Sequence, residues 1–172
     1  MSRTPGFSHR QSPAGNLESH MPYEFKLVRR VEFIETDMAG IVHYSNFFRY
    51  MEAAETAFIR SLGFSIWTQQ AEPPVGWPRV HVECDYKSPL RFEDEVEIHL
   101  LVAEKKAKAI SYAFRLRKLN AHPPVEVARG VVTAVCVTHV QGKLTATPLP
   151  KFIADQIEVA PKELLDAGKP RT

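Results

Sequence analysis

The chain has 172 residues, 44% of them hydrophobic and 24% charged, with a formal net charge of +2. This is enough chain for one domain with its own core. So small a charge excess gives no reason to expect a nucleic-acid partner, although a local basic patch can still hold a phosphate-bearing ligand. No run approaches the ~20 apolar residues of a membrane-spanning helix, so no membrane is expected either.

Residues 1–22 are rich in Ser, Pro, Gly and His and lack an apolar signal core, which predicts a disordered N-terminal tail rather than a secretory signal. Met21, directly before the first patterned residues, is a candidate start. Tyr23, Phe25 and Leu27 then alternate with Glu24, Lys26 and Val28, and the pattern resumes at Val31 and Phe33, predicting a half-buried strand over 23–34. After a loop over 35–46, Phe47, Met51, Ala54, Phe58 and Leu62 fall on one helical face. Ser45 or Asn46 is the expected N-cap and Gly63 the expected terminator. The prolines at 73, 74 and 78 make 64–78 irregular.

Four strands are predicted next. Val80, Val82, Cys84 and Tyr86 share a face, as do Val96, Ile98, Leu100 and Val102, and then Ile110, Tyr112, Phe114 and Leu116. Val125 to Val140, apolar on both faces over much of its length, reads as one long central strand with Gly130 letting it bend. Short reversals between successive strands predict a meander of antiparallel neighbours. A weak helical pattern closes the domain at 157, and 158–172 is expected as a mobile tail. Cys84 and Cys136 lie in alternating apolar runs without metal-ligand spacing, so both are expected as buried free thiols in a reducing, cytoplasmic setting. The class is α+β: a curved antiparallel sheet of about five strands around one long helix. One helix cannot cover such a sheet alone, so a homo-oligomer is expected.

Several side chains have two readings. Asp37, between a strand and a helix, is either a turn aspartate or a carboxylate beside the free amides of a helix start, where an oxyanion could be held. His43 is a polar contact or a general base, and Tyr44 a packing residue or a donor. Glu52 and Glu55 belong to the solvated helix face or to a subunit boundary. Lys105, Lys106 and Lys108 form a charged turn or a phosphate clamp. Trp67 and Trp77 close the core or line a pocket. P-loop, GxGxxG, GxSxG and HExxH motifs are absent from the sequence, which withdraws support from nucleotide hydrolysis, Rossmann redox and serine-hydrolase chemistry.

The segment Thr36-Asp37-Met38-Ala39-Gly40-Ile41-Val42-His43-Tyr44-Ser45-Asn46-Phe47, continued by Phe48-Arg49-Tyr50-Met51-Glu52, resembles the signature of hot-dog-fold acyl-CoA thioesterases, specifically the 4-hydroxybenzoyl-CoA thioesterase family. Ser61-Leu62-Gly63, Tyr86-Lys87-Ser88-Pro89-Leu90 and Glu93-Asp94-Glu95 fit the same layout, so the likeness covers about 23–150 within a domain of 23–157. The resemblance implies hydrolysis of an acyl-CoA with an aromatic or short-to-medium acyl group. It implies no cofactor beyond the coenzyme A of the substrate, no metal, and a dimer or dimer of dimers with sites at the subunit boundary. It makes Asp37 the catalytic carboxylate and the Tyr44 backbone amide the oxyanion donor, with His43 beside them. Gly40, Val42, Glu52 and Trp77 are then expected against the substrate, and Lys105, Lys106 and Lys108 against the CoA phosphates. Two other functions of this fold remain open: a non-catalytic acyl-CoA or acyl-carrier binder, and a dehydratase using His43 with Glu52 or Glu55.

Overall fold

The computed structural model describes residues 22–167; the expectations for residues 1–21 and 168–172 lie outside the described residues. In chain order it comprises β1 (Glu24–Arg30), a 3-10 turn (Phe33–Glu35), α1 (Ser45–Ser61), β2 (Arg79–Tyr86), β3 (Glu95–Lys105), β4 (Ala109–Lys118), β5 (Val125–Val135), β6 (Val137–Val140), β7 (Lys143–Ala146), α2 (Lys151–Ala154) and α3 (Lys162–Asp166). The five-stranded sheet runs in the order β1-β3-β4-β5-β2, all neighbours antiparallel, and β6 pairs with β7 separately.

Helix α1 forms because its apolar residues fall on one face, and that face is buried: Phe47, Tyr50, Met51, Ala54 and Phe58 lie against the concave side of the sheet. Ile98, Leu100, Tyr112, Phe114 and Val132 meet them from β3, β4 and β5. The rings of Phe58 and Tyr112 pack edge to face at 6.3 Å. Gly63, at φ +83°, ends the helix as expected, its amide reaching Arg60 O at 3.0 Å and that of Phe64 reaching Ile59 O at 3.2 Å. The start differs from expectation. Ser45 is already helical, Tyr44 occupies the cap position with no side-chain cap, and Asn46 is buried with its amide nitrogen on Glu35 O at 2.8 Å. The short polar residues are used to hold the preceding loop, the Asn46 and Phe47 amides turn back to His43 O and Tyr44 O, and the Tyr44 amide is left open among the described residues.

The meander is also corrected. β2 lies beside β5 at the far edge of the sheet, and β3 lies beside β1. Segment 87–94 makes the crossing and is held at both ends: the Lys87 amide donates to Val127 O, Leu90 O accepts the Val42 amide, and the Glu93 amide donates to Val31 O. Backbone pairing at this distance in sequence outweighs the preference for adjacent strands to neighbour. The long run 125–140 is two strands. It breaks at Cys136, whose buried position between the Lys108 and Pro148 carbonyls turns the chain out of the sheet. Gly130 serves closeness rather than bending: a Cβ there would stand 2.3 Å from Met51 Sδ and 2.9 Å from Glu83 O. Strand β1 stops at Arg30, four residues short of expectation, because Phe33–Glu35 coil into the 3-10 turn.

Cys84 is half-buried, Cys136 fully buried, and both are free. Burial pushes each thiol up to about 11. Residues 158–167, expected as part of a mobile tail, cross the outer face of the sheet. The Ala160 amide donates to Val102 O at 2.8 Å, Arg115 donates to Leu164 O, and Arg129 Nη2 to Ala167 O at 3.3 Å. His99 and Leu101, which point to that outer face, are buried.

Candidate active site

The loop between the 3-10 turn and α1 is built on hydrogen bonds that its own sequence supplies. Asp37 O accepts the Gly40 amide, the Asp37 amide donates to Ile41 O, and Asp37 Oδ1 accepts the Ala39 amide at 2.8 Å. Gly40 takes φ +70°, a left-handed conformation that glycine adopts freely. The turn reading of Asp37 is thereby seen in the structure, and the turn uses only part of the carboxylate. One carboxylate oxygen forms the turn, and Oδ2 has no partner among the described residues. Asp37 lines a cavity of about 440 Å³ with Val42, Tyr44, Phe47, Tyr86 and Lys87.

The start of α1 opens on the same cavity. The Tyr44 amide has no acceptor among the described residues, and the Ser45 amide meets only His43 Nδ1, at 3.4 Å. A helix start with open amides carries partial positive charge and favours an anionic oxygen. The Tyr44 carbonyl is held by the Tyr86 hydroxyl at 3.2 Å, and the Tyr86 ring stands edge-on to Phe47 at 5.1 Å.

Behind the loop is a network that sequence reasoning missed. Glu35 pairs with Arg29 at 2.5 Å, accepts the Tyr50 hydroxyl at 2.8 Å and the Glu32 amide at 2.8 Å, and its carbonyl takes the His43 amide and the Asn46 side chain. The Arg29 guanidinium lies 4.5 Å above the Tyr50 ring. Burial, followed by the hydrogen bond to Glu35, pushes the Tyr50 phenol well above its ordinary range. One residue thus ties the molecule here: the Glu35 carboxylate joins β1 to the second turn of α1, and its carbonyl holds the loop. The one available signal was Tyr50 itself: a tyrosine on an apolar helical face needs a partner for its hydroxyl.

The other expected residues separate. Val42 is buried and lines the cavity, its amide on Leu90 O. His43 is exposed and does not line it: Nδ1 sits 2.8 Å from Ser45 Oγ and the ring lies 4.4 Å from the Tyr44 ring. Trp77 is a core residue, Trp67 packs over Gly76, and neither lines the cavity. Lys105, Lys106 and Lys108 stand at the β3–β4 reversal, roughly 30 Å along β3 from the end where the loop docks. Lys105 Nζ donates to Ala154 O and Ile157 O, Lys106 pairs with Glu104, and Lys108 Nζ donates to Ala146 O. A run of lysines shows charge but not which carbonyls fold back to meet it.

The helical glutamates differ from each other. Glu52 is exposed and lines a second cavity of about 200 Å³. Glu55 is 3% exposed and pairs with Arg79, whose Nε and Nη2 both reach Oε2, at 3.2 and 2.8 Å. Burial raises the Glu55 carboxyl above its ordinary value, against the pull of Arg79.

Residues 31–157 match the family model described as the thioesterase-like superfamily. The chain belongs to the thioesterase-like superfamily. A candidate esterase of Aquifex aeolicus (strain VF5) is 37% identical over 94 residues, 55% of this chain and 71% of that one. A gentisyl-coenzyme A thioesterase structure superposes with TM-score 0.64 at 30% identity, covering 75% of this chain and 98% of that one. The 4-hydroxybenzoyl-CoA thioesterase of Pseudomonas sp. strain CBS-3 gives TM-score 0.70 at 23% identity over 77% and 99% of the two chains, and shares the fold. The architecture is the hot-dog fold, and this member of the superfamily is a thioesterase, a hydrolase acting on acyl-CoA thioesters.

Proposed function

We propose that this thioesterase binds the thioester carbonyl at the start of α1 and uses Asp37 to cleave it. The Tyr44 amide donates to the carbonyl oxygen, whose negative charge grows as the carbon becomes tetrahedral; a donor fixed in advance stabilises that state more than the ground state. Asp37 Oδ2 either attacks the carbonyl carbon, expelling the CoA thiolate and leaving an acyl-aspartyl anhydride that water then hydrolyses, or takes a proton from a water that attacks directly. The observation that carries this reading is the placement of Asp37 and the open Tyr44 amide on one cavity. No metal and no bound cofactor enters either route; coenzyme A arrives with the substrate.

Arg91, whose Nη1 donates to Gly40 O at 3.4 Å, and Lys87, which lines the cavity and pairs with Glu126, stand beside the loop and take the place of the three distant lysines as the CoA phosphate contacts. The site is completed by a second copy of the chain. Val80, Val82 and Tyr86 are 62%, 50% and 47% exposed on edge strand β2 beside the cavity, and edge-to-edge pairing of two such strands would cover them. Two free thiols fit a cytoplasmic setting.

The test is thiol release from aromatic, short and medium acyl-CoAs. Asp37→Asn should lower turnover on the order of a hundredfold or more while leaving fold and oligomer unchanged; near-full turnover would overturn the role of Asp37. A single turnover in ¹⁸O-water can reveal the anhydride, because water entering at its aspartyl carbon leaves label in the Asp37 carboxylate, whereas direct attack of water on the thioester puts all label in the released acid.

A further inference from the structure

Tyr86 ends the edge strand β2, and its side chain crosses to the start of α1. The hydroxyl donates to Tyr44 O at 3.2 Å, and the ring stands edge-on to Phe47 at 5.1 Å. Tyr86 lines the same cavity as Asp37 and Tyr44. Neither route of thioester cleavage uses its hydroxyl.

The strand holds its end of this contact firmly. Tyr86 pairs with Ala128 of β5, and the next two amides, of Lys87 and Ser88, both donate to Val127 O, at 2.8 and 3.2 Å. Two residues facing one make a bulge, and Pro89 keeps Ser88 extended. A tyrosine has two side-chain torsions, so the strand places its hydroxyl at small entropic cost.

The helix start is held less well by its own bonds. Tyr44 has no side-chain cap. His43 O accepts the Asn46 amide at 2.9 Å, which ties the carbonyl side of the His43–Tyr44 peptide. In a planar trans peptide the N–H points opposite to the C=O, so the Tyr44 amide faces away from the helix. On the other side of the same residue, Tyr44 O accepts the Phe47 amide at 3.3 Å, a long backbone bond. Two torsions connect that carbonyl to the open amide. Tyr86 gives Tyr44 O its second donor and so restrains both torsions from the sheet side.

We propose that Tyr86 is a positioning residue: its hydroxyl, by holding Tyr44 O, fixes the direction from which the Tyr44 amide donates to the thioester carbonyl. This rests on the Tyr44 amide being the oxyanion donor, as argued above. Tyr86 itself then touches no reacting atom. A donor works by being aimed in advance at the place where charge develops, so a loosened donor lowers kcat rather than binding. The thioester is common to all substrates, so the effect is independent of the acyl group.

The test measures kcat and KM separately for thiol release by full-length Tyr86→Phe, over aromatic, short and medium acyl-CoAs. This variant keeps the ring and its contact with Phe47. We expect kcat to fall about tenfold on every substrate the wild type cleaves, with KM and the urea midpoint nearly unchanged. Tyr86→3-fluorotyrosine, which keeps a hydroxyl, should restore kcat. An unchanged kcat would overturn the proposal. So would a rise in KM alone or a loss confined to one acyl class, either of which would make the hydroxyl a substrate contact. A fall in kcat that tracks a lower urea midpoint, or that 3-fluorotyrosine does not restore, would overturn it as well. Near-full turnover by Asp37→Asn would overturn the parent reading instead; an inactive Asp37→Asn beside a fully active Tyr86→Phe would overturn this one alone.

Discussion

The sheet has two edges, β1 and β2, and they are finished differently. On β1 the helix-facing residues Phe25 and Leu27 pack against the core, with Phe25 6.3 Å from Phe58. Its outward residues are charged except for Val28, and two are paired: Glu24 with His99 and Arg30 with Glu95. On β2 the helix-facing Val80, Val82 and Tyr86 are left in the open. The cause is the position of α1, which lies closer to β3 and β1 than to β2. An off-centre helix closes one side of the molecule and leaves a groove on the other. Charge-guarded edges resist pairing, whereas an uncovered apolar edge invites it. The closed side therefore packs the core and holds the loop, and the open side is the one to which the proposed function assigns binding.

The largest expected effect breaks the open side. Val82→Glu should dissociate the oligomer, read by size-exclusion chromatography with light scattering, and lower turnover about a hundredfold by unroofing the groove. Val28→Glu on the other edge should change neither. If both variants behave alike, the distinction between the edges fails.

On the closed side, Tyr50→Phe removes the phenol from Glu35 and should cost about 1–2 kcal/mol in chemical denaturation. The looser loop should lower kcat about tenfold, because misplaced oxyanion donors lose transition-state stabilisation. An unchanged kcat would show that the Glu35 network holds the fold but not the loop.

A pH series sharpens the same side. Burial of Asp94 opposes its ionisation, but Lys118, the Arg91 amide and Asn120 outweigh that and hold the carboxyl below its ordinary value. A lowered folded-state pKa stabilises the protein above the unfolded value of about 3.9, and the gain is lost as pH falls through the folded value. Asp94→Asn should therefore be less stable by about 1–2 kcal/mol near neutrality, with the gap closing in acid. Urea midpoints measured from neutral to strongly acid pH check this; a constant gap would refute it. Smallest of all, Arg91→Ala should raise KM for acyl-CoA a few-fold with kcat unchanged, whereas Lys106→Ala should leave KM alone. The reverse outcome would restore the distant lysines as phosphate contacts.

Much of this was legible in the sequence, and what was not has a common cause. Period-two and helical patterns located α1 and the strands, because burial on one face is a local property. The pairing of β2 with β5 was not visible, because it is decided by contacts between residues about fifty positions apart. The face of β2 was readable, but not its exposure, which depends on where a helix elsewhere comes to rest. Asp37 was raised above a turn residue by resemblance, and the structure adds that its turn leaves one oxygen unoccupied. Glu35 gave no sign, because its partners Arg29 and Tyr50 lie on opposite sides of it in sequence and meet only in the fold.

Gly130 gives the helix its resting height. Met51 settles where a Cβ would otherwise be, seven positions and about 10 Å from Tyr44 along the axis. The helix works as a beam resting on that notch, with the open Tyr44 amide at its overhanging end. Filling the notch with a methyl group would lift the beam at its support and tip the far end away from Asp37. A single carbon in the middle of the sheet would then register as a change in rate at the loop.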